Sequence, residues 1–196
     1  MERARDITGV ILAGGLSSRF GSDKALALLR GKFLIQHAKD TLTAIFSECL
    51  LVTNTPGQHG FLNMPMIKDR YQNMGPLAGI HAALLHTNNP WIFVLGCDMP
   101  KITPELIAFL CSFAKDEKFE AVIPWLEAGP EPLCGLYRKS ALDTIEFQLK
   151  NKKPQVSELL RKISVRKVKE EEIRKVTGGL DVFCNVNRKQ DLEGLR

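Results

Sequence analysis

Ile7-Thr-Gly-Val-Ile-Leu12, followed at once by Ala13-Gly-Gly-Leu-Ser-Ser-Arg-Phe-Gly-Ser-Asp-Lys24, decides how this chain is read. The apolar run Ile7 to Leu12 reads as a buried strand, and Gly14-Gly15 stand at its carboxyl end. A glycine pair there strips side chains from the backbone, so main-chain N–H groups can approach a polyphosphate closely. Ser17, Ser18, Arg19 and Lys24 add hydroxyl donors and two permanent positive charges within the same loop. The pattern implies a nucleoside triphosphate. It lacks the Gly-Lys-Ser/Thr of a Walker loop and the Gly-x-Gly-x-x-Gly of a dinucleotide fold.

Outward from this stretch, apolar runs alternate with amphipathic ones. Strands are expected at Ile7–Leu12, Cys49–Thr53, Met66–Ile67, Trp91–Leu95, Ala121–Pro124, Leu133–Tyr137 and Val165–Val168. Helices are expected at Phe33–Phe46, Leu77–Leu85, Pro104–Ala114, Lys139–Gln148 and Val156–Leu160. Thr103-Pro104-Glu105 is a helix start, with the hydroxyl as N-cap and proline in the first turn. The alternation predicts an α/β fold, a Rossmann-like three-layer αβα sandwich around a mostly parallel sheet. In such sheets ligands bind outside the carboxyl ends of the strands. No repeat or linker divides residues 1–196, so one domain is expected.

Composition narrows the function classes. A hydrophobic fraction of 44% with 25% charged residues is that of an ordinary globule, long enough at 196 residues to bury a core without staples. No run approaches the roughly 20 apolar residues of a membrane span. The Met1–Asp6 start lacks a signal-peptide core, so a cytoplasmic location is expected. Five cysteines without a Cys-x-x-Cys pair argue against a zinc site or disulfide framework. Net charge is +5, concentrated late at Lys150, Lys152, Lys153, Arg161, Lys162, Arg166, Lys167 and Lys169. Glu170, Glu171 and Glu172 interrupt that run and no aromatics interleave it, which argues against nucleic acid and for a solvated face.

Three more motifs fall at strand ends. Trp91-Ile-Phe-Val-Leu-Gly-Cys-Asp98-Met-Pro100 is a buried strand ending in a carboxylate, with small Gly96 and Cys97 leaving space beside it. Magnesium takes one or two carboxylates plus substrate phosphates, and Asp98 suits that role; a turn cap is the plainer alternative. Lys68-Asp69-Arg70 follows the short strand Met66–Ile67 and reads by itself as a salt-bridged surface carboxylate. Asn73-Met-Gly75-Pro76-Leu77-Ala78-Gly79 is a tight turn into a helix whose N–H groups and small residues would admit a purine or phosphate.

The first motif resembles the Leu-Ala-Gly-Gly-x-Ser-x-Arg-x-Gly-x-Asp-Lys signature of the molybdenum cofactor guanylyltransferases, matching it at Leu12, Ala13, Gly14, Gly15, Ser17, Arg19, Gly21, Asp23 and Lys24. A looser form occurs across the nucleotidyltransferase superfamily. Gly75-Pro-Leu-Ala-Gly79 resembles the guanylyl branch rather than the cytidylyl one. Cys184-Asn185-Val186-Asn187 is similar to that branch's C-terminal Asn-x-Asn, although Arg188 stands where threonine is usual. Val52 stands where some members carry asparagine, with Asn54 close by.

The resemblance implies the fold of the nucleotide-diphospho-sugar transferases and transfer of GMP from GTP to a molybdopterin-type cofactor with release of pyrophosphate. It gives Arg19 and Lys24 to the triphosphate and leaving group, Asp98 to Mg2+, and Leu12, Ala13, Gly14, Gly15, Asp69 and Gly75 to GTP. Asn185 and Asn187 fall to the pterin. Cofactor-delivery proteins and apo-molybdoenzymes are the implied protein partners, with no nucleic acid and no membrane. Two other readings stay open: a cytidylyl- or sugar-nucleotide transferase of the same fold, and an idle nucleotide-binding adaptor. Retention of both Lys24 and Asp98 argues against idleness.

Overall fold

The computed structural model describes residues 6–13 and 23–195. Gly14, Gly15, Ser17, Ser18, Arg19 and Gly21 therefore lie outside the described residues. In chain order the strands and helices are β1 (Ile7–Leu12), β2 (Leu28–Leu29), β3 (Lys32–Phe33), α1 (Leu34–Ile45), β4 (Cys49–Val52), α2 (Pro56–His59), β5 (Met66–Ile67) and α3 (Gly75–His86). They continue as β6 (Trp91–Gly96), α4 (Pro104–Cys111), β7 (Ala121–Leu126), β8 (Gly129–Pro130), β9 (Cys134–Arg138), α5 (Leu142–Lys150), α6 (Val156–Lys162), β10 (Val165–Lys169), α7 (Glu170–Thr177) and α8 (Lys189–Glu193).

An eight-stranded sheet runs in the order β10-β7-β9-β6-β1-β4-β5, with β8 paired to β7. β1 is parallel to both β4 and β6, with Leu12 opposite Val52 and Gly96, so their carboxyl ends align at one edge. β9 is antiparallel to both β6 and β7. Side chains alternate between two cores: Trp91, Phe93 and Leu95 of β6 enter one, Ile92 and Val94 the other. α1, α4 and α7 cover the first face, and α3, α5 and α6 the second. That is the expected three-layer sandwich. The α1 stripe Leu34, Ile35, Ala38, Leu42 and Ile45 is buried on one side, whereas α3 is buried almost throughout from Leu77 to Leu84. Thr103 caps α4 as expected, its hydroxyl accepting the Leu106 N–H at 3.4 Å.

Several boundaries differ from the sequence reading. Phe33 belongs to β3 rather than to α1, and Ser112–Lys115 tightens into a 3-10 turn after α4. The helix expected from Lys139 begins at Leu142, after a 3-10 turn over Lys139–Ala141. The β2–β3 hairpin was invisible because its turn is Arg30-Gly31, both at positive φ (49° and 78°), where Asn-Gly is the usual signal. Glu170, Glu171 and Glu172, read as an interruption of a basic run, form the first turn of α7, with Arg174 and Lys175 in its last. Those charges oppose the helix dipole at both ends and stabilise it.

Candidate active site

The carboxyl edge of β1 and β6 brings together two residues 74 positions apart: Lys24 Nζ donates to Asp98 Oδ2 at 2.6 Å. Both side chains are mostly withdrawn from solvent, at 20% and 17% exposure. Lys24 opens a 3-10 turn, Lys24–Leu26, capped by Asp23, whose Oδ1 accepts the Ala25 N–H at 3.0 Å. Asp98 leaves the sheet just beyond Gly96, and the glycine there is a requirement of space. A Cβ on Gly96 would stand 2.6 Å from Asp98 Oδ1. Cys97 is no nucleophile: burial first, then the adjacent Asp98 charge, push its thiol up to about 12.

The C-terminal segment closes onto this pair. Val186 donates its N–H to the Asp98 carbonyl at 2.9 Å, and its side chain is buried with Leu29, Leu34, Leu192 and Leu195. Asn185 is thereby held beside Asp98, half-buried. Asn187 is exposed, and its N–H, like that of Arg188, donates to Asp191 Oδ2 at 2.7 Å. These bonds hold the Asp191 carboxyl below its usual range and cap α8. Arg188, the departure from the family pattern, thus occupies a helix start.

On the other side of β1, Asp69 follows β5. The surface ion pair expected from its two basic neighbours is replaced by a different bond: Asn54 Nδ2 donates to Asp69 Oδ2 at 2.9 Å. Asp69 Oδ1 is buried with no hydrogen-bond partner among the described residues. Gly75 takes a left-handed φ of 64°, and no described residue lies within 4 Å of the position a Cβ would occupy, so among the described residues the turn into α3 is bare. Gly79 is different. A Cβ there would meet Leu12 Cδ2 at 3.0 Å, so this glycine lets the helix pack closely on β1. The Ala13 N–H donates to the Val52 carbonyl at 3.1 Å and so continues the β1–β4 pairing one residue past β1.

With this geometry in view, the comparisons with known proteins decide the family. Residues 9–168 match the model of the MobA-like NTP transferase domain. The chain belongs to this family. The molybdenum cofactor guanylyltransferase of Desulfosudis oleivorans is 33% identical over 188 residues, covering 95% of this chain and 93% of the relative. A relative from Carboxydothermus hydrogenoformans is 35% identical, covering 97% of this chain and 95% of its own. Among solved structures, molybdopterin-guanine dinucleotide biosynthesis protein A from Archaeoglobus fulgidus superposes with a TM-score of 0.85 at 29% identity, covering 96% of each chain.

Within this MobA-like domain, sequence reasoning missed Glu131. Leu133, just before β9, accepts the Gly96 N–H at 2.8 Å, and Glu131 N–H is held by the Pro124 carbonyl at 3.0 Å. Glu131 therefore sits at the same edge as Asp98. Its burial, then the Asp98 charge, raise its carboxyl pKa, while a hydrogen bond with Asn185 opposes the shift. The signal was a carboxylate bracketed by Pro130 and Pro132 before an apolar run. The bond from Asn54 to Asp69 places this asparagine at the β4–β5 end. Asp98 and Glu131 bring two hard carboxylate oxygen donors to this edge, the kind of group a divalent cation takes, with Asn185 hydrogen-bonded to Glu131. Among the described residues no three His, Cys, Asp or Glu side chains gather as a metal cluster.

Proposed function

We propose that this chain is a molybdenum cofactor guanylyltransferase, transferring GMP from GTP to the terminal phosphate of a molybdopterin-type cofactor. The observation that carries the reading is the 2.6 Å Lys24–Asp98 contact, which joins the loop motif to the strand-end carboxylate at one edge of the sheet. An acceptor phosphate oxygen attacks the α-phosphorus in line. The bond from that phosphorus to the bridging oxygen breaks, and pyrophosphate leaves with the electron pair. No residue needs to bond covalently to substrate, so the work of the chain is placement and charge.

Lys24, with Arg19 from the loop, binds the triphosphate and offsets the charge that grows on the leaving pyrophosphate. Asp98, with Glu131 and Asn185 beside it, would hold Mg2+. When bound, the ion supplies Lewis acidity and a template for phosphate oxygens. Asn185, bonded to Glu131 at this edge, and the exposed Asn187 serve the pterin side. Asp69 and Asn54 serve the nucleoside side. Guanine presents adjacent N1–H and N2–H donors, both of which a carboxylate can accept; cytosine and adenine offer one amino donor beside a ring-nitrogen acceptor (N3 or N1), which leaves one carboxylate oxygen facing a lone pair. Each unpaired buried group costs about 1–3 kcal/mol, so CTP and ATP should bind at least about tenfold more weakly than GTP. Calorimetric titration with magnesium present is the test. Equal affinity for GTP and CTP would favour the cytidylyl alternative.

A further inference from the structure

We propose that His59 is a positioning residue that sets Lys24 through Asp23, an inference resting on the nucleotidyl-transfer reading above. His59 closes α2, which follows β4 at the ligand edge of the sheet. The imidazole is fully buried at 0% exposure, yet neither ring nitrogen has a hydrogen-bond partner among the described residues. Its Nε2 lies 3.5 Å from Asp23 Oδ2. The other oxygen of the same carboxylate accepts the Ala25 N–H at 3.0 Å and so fixes the turn that begins with Lys24. Lys24 in turn reaches Asp98 at 2.6 Å. The order of contacts is imidazole, carboxylate, turn, ammonium, catalytic edge.

A polar ring buried for packing alone carries a desolvation penalty that an apolar ring would not. Asp23, the carboxylate 3.5 Å from it, belongs to the turn that delivers the phosphate-binding lysine. The buried imidazole, with Nε2 3.5 Å from Oδ2, limits the rotation of the Asp23 carboxylate and with it the capped turn, and a small turn of the ring would make this approach a hydrogen bond. Without that restraint Lys24 has more positions to choose from, and fewer of them face a leaving pyrophosphate. The loss falls on the transition state more than on ground-state binding, because the charge to be neutralised grows as the bond breaks.

The test compares His59→Phe, which keeps a buried ring without nitrogen, with His59→Gln, which keeps an N–H donor. For the purified full chain with GTP, Mg2+ and acceptor, His59→Phe should lower kcat about tenfold with KM for GTP changed by less than about twofold. His59→Gln should recover most of the loss. Adding His59→Phe to Asp23→Asn should slow the enzyme no further, since contacting residues acting on one target are non-additive. Additive losses, or wild-type kcat in His59→Phe, would overturn the proposal and leave His59 a packing residue. A second readout does not depend on the substrate: the ring 15N resonances of His59 should shift in Asp23→Asn and stay in place in the exposed control Asp116→Asn. Unmoved resonances in Asp23→Asn overturn the contact. If the wild-type chain turns over no GTP, the guanylyltransferase reading fails, and the resonance shift still decides the His59–Asp23 pairing.

Discussion

β6 and β9 lie side by side in opposite directions, and each delivers a carboxylate to the same edge of the sheet by its opposite end. Asp98 follows the exit of β6, beyond Gly96, whereas Glu131 precedes the entry of β9, paired so that Cys134 faces Leu95. A ligand edge at the strands' carboxyl ends is a rule for parallel strands. One reversed strand turns it around locally, and the residue to look for is then upstream of the apolar run. The two strands also use glycine differently. Gly96 makes room for a functional side chain, while a Cβ on Gly135 would meet Ile123 Cδ1 at 2.6 Å and the Val122 carbonyl oxygen at 2.7 Å. The first glycine serves the site and the second the sheet.

The contrast can be broken by substitution. Asp98→Ala should show the largest effect, a loss of about 10³-fold or more in pyrophosphate release, since it removes a charge aimed at the reacting phosphates. It should also cost some stability, a melting temperature lower by several °C, because the mostly buried Lys24 ammonium loses its partner; the activity loss should far exceed the fraction unfolded at the assay temperature. Gly96→Ala should leave the fold nearly as stable but displace the Asp98 carboxylate, lowering kcat about 10²-fold. Gly135→Ala should do the reverse. Its Cβ strikes backbone that cannot yield, so urea unfolding should report a loss of about 1–3 kcal/mol, with kcat per folded molecule unchanged. A kcat loss in Gly135→Ala without destabilisation would contradict the division. Glu131→Gln should give the smallest change, a fall of about threefold in kcat, because the amide keeps an acceptor for Asn185 and loses only the charge beside Asp98.

The same two strands show what the sequence could tell. Ile7–Leu12 and the Trp91 strand were legible because both are continuous apolar runs followed at once by glycine and charge. Asp98 and Lys24 could be named from residue type and position before any contact was known. The direction of β9 was not legible, since an apolar run carries no sign of whether it runs with or against its neighbours. Gly79 and the Ala13 N–H illustrate a related ambiguity. A small residue or a main-chain donor is equally suited to ligand and to neighbouring backbone, and only packing against Leu12 and Val52 settles which takes it. Asp69 shows the converse. Its basic neighbours in sequence suggested an ion pair, but adjacent side chains on an extended segment point apart, and Asn54 from the next strand end reaches it instead.

The most direct measurement is transfer itself. The purified chain is incubated with Mg2+, a molybdopterin-type acceptor and GTP labelled at the α-phosphate, and label in the acceptor is counted against pyrophosphate released. Guanylyl transfer requires one labelled guanine dinucleotide cofactor for each pyrophosphate, release that depends on the acceptor, and at least about tenfold less product from labelled CTP at equal concentration. Label carried equally well from CTP, or no label in the acceptor while GTP still binds, would contradict it.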